Sequence, residues 1–339
     1  MSKNSKFFTT KKVIPFLLLL LITIPSITFF SFYNKLNVTK ADESSYESKY
    51  EKVDGITNIL LLGTDGRENE LAYRSDCMMI ATIDANNKNI KLTSLARDTY
   101  VDIPGKGKGK LNAAYFWGKE DLLFQTIEEN FQIKLDKFMQ VDFDDLMNIV
   151  FLLGGVEVNV EDHELDITNQ YITESYGQCT YSNKGEMEYL TKTGKQVLNG
   201  YQAIAYTRIR YTDSAINRDA RQREVLISLI NKMIDTDFSK YPHILNTLSP
   251  HISTNLSATD IINLAFTVYN FDRDNLDIRQ GQFPIIDYVH VKGGTYKNAG
   301  WVWLYDLNSK VVLQDFLYKN INMEDHEYLK DNSNIQLNY

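Results

Sequence analysis

The chain has 339 residues, a formal net charge of -8 and a hydrophobic share of 43%, enough for one large domain or two small ones with a sizeable core. An acidic balance of this kind excludes non-specific nucleic-acid binding, the more so once the N-terminal lysines are set aside. Two cysteines, Cys77 and Cys179, do not make a disulfide framework, and Cys77 sits in an apolar run that reads as a buried thiol.

Lys3, Lys6, Lys11 and Lys12 are the only charges in residues 1–12, and residues 13–34 carry none. An uncharged apolar run of that length fits a bilayer crossing. The lysines before it predict a cytoplasmic N-terminus and an external body. The run is long for a cleaved leader and no small-x-small cleavage site follows, which favours an uncleaved signal anchor. The expected organisation is a cytoplasmic tail (1–12), a transmembrane helix (13–34), a polar extracellular spacer (35–54), one folded domain (55–320) and a C-terminal tail (321–339).

Residues 56–62, 77–83 and 90–95 are apolar runs of strand length, the last two separated by the turn Asp84-Ala85-Asn86-Asn87. Leu122, Leu123, Ile127 and Phe131 predict a helix within 111–131, and 138–143 reads as a strand. Leu146, Ile149, Val150 and Leu153 continue as a helix that stops at Gly154-Gly155, followed by an alternating strand at 156–160. The polar, tyrosine-bearing stretch 161–194 reads as a long loop leaving the core. After Arg218, the stripe Val225, Leu226, Leu229, Ile230, Met233 and Ile234 predicts an amphipathic helix. Further helix is expected near Ile244 and over 258–269, then a strand at 282–286 and a last helix at 304–317. Alternating strands and helices without repeats give an α/β class: a single domain with a mixed central sheet covered by helices on both faces.

Two clusters carry chemistry. Arg208, Arg210, Arg218, Arg221 and Gln222 gather where an apolar helical run ends and the amphipathic helix begins. Guanidinium forks and free N–H groups at a helix start suit phosphate oxygens. In a strand-like segment Arg208 and Arg210 would share a face, and Arg218 and Gln222 share one at i, i+4 on a helix. Upstream, three predicted strand ends carry Asp65 and Arg67, Arg74 and Asp76, and Arg97 and Asp98. Spaced aspartates with arginines suit a Mg²⁺-assisted pyrophosphate site, with Asp65 and Asp76 as paired carboxylates. The bland readings are an ordinary Asp-Gly turn and exposed Asp–Arg pairs of little energetic weight. Gly105-Lys106-Gly107-Lys108-Gly109-Lys110 lacks the order of a nucleotide phosphate loop and reads as a basic hairpin tip. The five histidines show no zinc spacing, and no GxSxG elbow is present.

These motifs in this order resemble the LytR-CpsA-Psr family of cell-wall glycopolymer transferases. The matching residues include Asn58 to Arg67, Arg74-Ser75-Asp76, Ser94 to Asp98, Lys110 to Tyr115, Val141-Asp142-Phe143 and Gly154-Gly155-Val156. They continue through Leu198 to Ala203, Tyr206 to Arg210, and Arg218 with Arg221-Gln222. The resemblance implies that 55–320 is a catalytic domain outside a bacterial cell membrane. It implies transfer of a glycopolymer from a polyprenyl pyrophosphate carrier onto peptidoglycan, with Mg²⁺. It implies metal held by Asp65 and Asp76, catalytic roles for Asp65, Asp76 and Arg97, and carrier binding by Arg67, Arg74, Arg97, Lys110, Arg208, Arg210, Arg218, Arg221 and Gln222. Where the family usually has an aspartate three residues before the last arginine cluster, this chain has Ala215, with Asp213 and Asp219 on either side. That departure favours a second reading, a non-catalytic, membrane-anchored polyprenyl phosphate binder; a carrier pyrophosphatase, with water in place of the sugar acceptor, is a third.

Overall fold

The computed structural model describes residues 29–31, 33–38, 46–64, 75–209, 215–237, 240–272, 274–330 and 335–339. Its centre is a seven-stranded sheet built from β1 (Asn37–Val38), β2 (Ile56–Thr64), β3 (Ser75–Asp84), β4 (Asn89–Leu95), β7 (Lys137–Asp142), β10 (Ser253–Thr254) and β11 (Asp277–Phe283), in the order β1-β10-β7-β2-β3-β4-β11. The β2–β3 and β3–β4 pairs are antiparallel hairpin neighbours, whereas β7 joins β2 and β11 joins β4 in parallel, so the sheet is mixed.

Successive residues in the central strands serve opposite cores, as the two-residue repeat of a strand requires. Leu60, Leu62, Met78, Ile80 and Leu95 face one core, where they meet helix α1 (Leu111–Phe131) and helix α8 (Lys310–Lys319) through Leu123, Ile127, Phe131 and Phe316. Met79, Ala81, Ile90 and Leu92 face the other, under helix α5 (Ala215–Asp235), which contributes Leu226, Ile227 and Ile230. Fully burying one such side chain contributes about 1.5–3 kcal/mol, which is why runs apolar on every position form the central strands. Helix α7 (Ala258–Tyr269) adds Val268 to the second layer.

A third core lies beside the sheet. Helices α2 (Phe143–Leu152), α3 (Asp162–Gln178), α4 (Gly200–Thr207) and α6 (Tyr241–Leu248) pack there with the β8–β9 hairpin (Val156–Val160 and Gly194–Leu198). Gly154 and Gly155 end α2 in left-handed backbone, φ 79° and 92°. Gly105 to Lys110 form the tip and second strand of the hairpin β5–β6 (Tyr100–Ile103 and Gly107–Lys110) that leads into α1.

Three expectations need correction. Residues 161–194 are not an irregular loop, because Asp162–Gln178 form α3, capped reciprocally by Glu161 and Glu164. The strand expected at 282–286 is Asp277–Phe283, drawn towards β4 by parallel pairing along its whole length. The helix expected at 304–317 begins at Lys310, after an unforeseen hairpin of β12 (Val291–Thr295) and β13 (Trp301–Tyr305). The apolar segment 13–34 falls almost wholly outside the described residues, and among those described no helix is long and apolar enough to cross a membrane.

Candidate active site

The site forms at the end of the sheet where β2, β4 and β7 finish and β3 begins. Gly63 faces Cys77 and Thr64 faces Ser75, so Asp76 is the extra residue of a β-bulge. A bulge re-aims its extra side chain out of the normal alternation. Gly63 allows this close approach, since a Cβ there would stand 2.9 Å from the Cys77 Cβ.

Asp76 meets Arg97, which lies just beyond β4, in an ion pair through Oδ1 and Nη1. Arg97 Nε also reaches Asp98 Oδ2 at 3.4 Å, and Asp98 Oδ1 accepts from Lys110 Nζ at 2.7 Å. The turn that carries them is fixed by its own backbone: Ala96 N donates to Phe283 O, Asn112 N to Arg97 O and Trp303 N to Asp98 O. Burial alone would lower the Arg97 guanidinium, but Asp76 and Asp98 hold it above its usual range. Asp76, Arg97 and Lys110 keep 21%, 22% and 28% of their side-chain surface exposed, so an anion arriving from solvent can reach them.

Helix α5 supplies the other wall. Arg218 is 3% exposed, and its Nη2 donates to Asp219 Oδ1 at 3.1 Å and to the Asp76 backbone O at 3.4 Å. Burial pushes the Asp219 carboxyl up, while Arg218, Arg223 and Gln282 favour its ionised form. Gln222, one turn after Arg218, is partly exposed. The structure therefore brings together Asp76, Arg97, Lys110 and Arg218.

Two of the expected arginines are engaged elsewhere. Arg221 is buried against α3, donating to Glu164 Oε1 at 2.8 Å and to Ile209 O at 3.0 Å. Arg208 is not in a strand but caps α4 with αR backbone, and its guanidinium meets Glu174 Oε1 at 2.9 Å and the Tyr171 ring at 5.6 Å. Asp65, Arg67, Arg74 and Arg210 lie outside the described residues. The motifs passed over Arg223, which is buried beside Ser94 and Gln282. The only sequence signal for it was the crowding of three arginines at 218, 221 and 223.

A mixed sheet flanked by helices, with arginines and aspartates converging on one strand end, defines an α/β domain with a charged cluster where such sheets commonly place ligands. Its relatives are specific. The chain belongs to the LytR_cpsA_psr family, which it matches over residues 26–315. It is 34% identical over 244 residues to the polyisoprenyl-teichoic acid–peptidoglycan teichoic acid transferase TagU of Enterococcus faecalis, covering 68% of this chain and 74% of that protein. The structure described as TagT bound to LI-WTA superposes with a TM-score of 0.64 at 25% identity, over 84% of this chain and 98% of that one. TagT with bound octaprenyl pyrophosphate lipid superposes at 0.58 and 25% identity, over 83% and 99%.

Proposed function

We propose that the protein transfers a glycopolymer from a polyprenyl pyrophosphate carrier onto peptidoglycan at the outer face of a bacterial cell membrane. The observation that carries the reading is the convergence of Asp76, Arg97, Lys110 and Arg218 at one sheet end. The relatives named as teichoic acid transferases, and the TagT structure with octaprenyl pyrophosphate, support the same substrate class.

In this reading a sugar hydroxyl of peptidoglycan attacks the phosphorus nearest the glycopolymer. The bridging P–O bond breaks, prenyl phosphate leaves with its electron pair, and a carboxylate at the site takes the hydroxyl proton. Arg97, Arg218 and Lys110 bind the pyrophosphate oxygens and offset the charge that develops there, the main source of rate in phosphoryl transfer. Asp98 orients two of the cations by accepting from both Arg97 and Lys110.

Mg²⁺ is the proposed cofactor, with Asp65 and Asp76 as its carboxylates. Among the described residues no three metal-capable side chains meet. Mg²⁺ nonetheless takes as few as one or two carboxylates, with phosphate oxygens and waters for the rest, so the hard oxygen of Asp76 fits the ion. When bound, the ion supplies further neutralisation of the pyrophosphate.

The uncharged segment 13–34 is proposed as the single-pass anchor, with the N-terminus cytoplasmic. The strand that follows it supports this placement. Asn37 aligns with Ser253 and then Gln140, level with Leu62 near the end of β2, so β1 enters the sheet from the site end.

Labelled carrier-linked glycopolymer, supplied with and without peptidoglycan, tests the reading. Label should move to peptidoglycan only when both are present. Release of free glycan phosphate in equal yield without acceptor would make the protein a pyrophosphatase, and tight binding without turnover a carrier-binding protein.

A further inference from the structure

Behind Arg218, helix α5 carries a third arginine, beyond Arg221, with a different set of partners. Arg223 is 8% exposed. Its Nη1 donates to Ser94 Oγ at 2.7 Å and to Gln282 Oε1 at 3.1 Å, and its Nε to Gln280 Oε1 at 3.2 Å. These acceptors sit on the neighbouring strands β4 and β11. Ser94 and Gln282 are register partners, and Gln280 precedes Gln282 by two residues on the same face. All three are neutral, so the hydrogen bonds satisfy the guanidinium without balancing its charge.

The balancing carboxylate is Asp219, one helical turn earlier on the same face of α5 and 4% exposed. Gln282 links the two. Its Oε1 accepts from Arg223, and its Nε2 donates to Asp219 Oδ2 at 3.4 Å. With a cation on one side and a carboxylate on the other, the amide has one favourable orientation. Asp219 Oδ1 then accepts from Arg218 Nη2, the same nitrogen that reaches the Asp76 backbone O. Arg218 Nε is buried with no hydrogen-bond partner among the described residues.

We infer that Arg223, Gln282 and Asp219 are positioning residues, a buried polar relay that anchors α5 to β4 and β11 and fixes the Arg218 guanidinium against the start of β3. The inference rests on the reading of Arg218 as a ligand of the carrier pyrophosphate. The physical reason for such a relay is pre-organisation. An arginine held by its surroundings loses less conformational freedom when it binds an oxyanion than one that must be collected from solution. The relay spans α5, β4 and β11, so it ties the aim of Arg218 to the sheet.

The test is titration of the full chain with a prenyl pyrophosphate analogue, in parental and Arg218→Ala backgrounds. Gln282→Leu removes both of its relay contacts without changing net charge. It should weaken analogue affinity several-fold in the parental chain and leave the Arg218→Ala chain unaffected, because a residue acting through Arg218 has nothing left to position. Arg223→Lys, which also keeps the charge, should reproduce the effect at smaller amplitude, and serves in its place should Gln282→Leu fail to fold. Equal weakening in both backgrounds, or a lower melting temperature with affinity intact, would reduce the relay to a packing feature. An Arg218→Ala chain that binds as tightly as the parent would instead remove Arg218 from the site, and the relay's role with it.

Discussion

Lys91 Nζ lies 2.6 Å from Asp84 Oδ2, and neither side chain has any solvent exposure. Lys91 also donates to Leu317 O at 3.0 Å, tying β4 to α8 at the sheet end opposite the site. Removing one partner of such a pair strands the other charge in the core, at a cost of about 3–5 kcal/mol. Lys91→Met should therefore lower stability by about that amount, and Lys91→Met with Asp84→Leu should recover much of it. Burial alone would raise the Asp84 carboxyl, but the Lys91 ammonium and the Asn87 donors hold it below its ordinary range. A carboxyl lowered in the folded state stabilises above its unfolded pKa of about 4, and that stability is lost as pH falls through the folded value. Denaturant titrations from neutral pH downward should show this acid limb in the parent and a shallower one in Asp84→Asn.

Gly200 opens α4 where that helix presses on α2. A Cβ at this position would stand 2.4 Å from Met147 O and 2.5 Å from Phe151 Cδ2. Backbone and a stacked ring, with Phe151 lying 4.8 Å from Tyr181, leave little room to yield. Gly200→Ala should cost about 1–3 kcal/mol by overpacking, read as a shift in the denaturation midpoint. An unchanged midpoint would mean that α2 and α4 move apart freely.

Cys77 and Cys179 are free thiols on β3 and just after α3. Cys77 is only half-buried, short of the fully buried thiol its apolar run suggested, but desolvation, assisted by Asp219, pushes its thiol up to about 12, and burial also raises Cys179. Thiolate is the reactive form, so both should alkylate far more slowly than free cysteine at pH 8 in the folded protein. Both should react fully in denaturant. Fast labelling of the folded chain would contradict the packing around β3.

The sequence revealed most where one residue's environment could be inferred from its immediate neighbours. Residues 56–62, 77–83 and 90–95 were legible as strands because both faces are buried, and 258–269 matches α7 at both ends, behind the Ser257 cap. Helix α3 was hidden because its buried positions, Glu164, Thr168, Ile172 and Ser175, follow helical spacing with mostly polar residues. The β12 strand was hidden because Gly293-Gly294 take up two of its five positions and give it no apolar alternation. In the site, Asp76, Arg97 and Asp98 stood out because strand ends and charge coincide along the chain, whereas Lys110 was marked only by the family resemblance. The Arg223 relay did not, since Ser94, Gln280 and Gln282 become neighbours only through the parallel pairing of β4 with β11.

Arg97 gives the sharpest test of the proposed site, because it bridges two carboxylates there. Its Nη1 serves Asp76 and its Nε serves Asp98. Lysine keeps the charge but has a single ammonium in place of a planar fork, so Arg97→Lys cannot span both carboxylates and an oxyanion together. A charge-assisted contact of this kind contributes about 1.5–3 kcal/mol, which predicts roughly tenfold or greater weakening of a prenyl pyrophosphate analogue. The melting temperature should move little, since the pair is partly exposed and such pairs stabilise by about 1 kcal/mol or less. Titration calorimetry beside a thermal melt separates the two roles. Analogue affinity within about 1 kcal/mol of the parent, together with a clear loss of melting temperature, would make Arg97 a strut for Asp76 and not a carrier ligand.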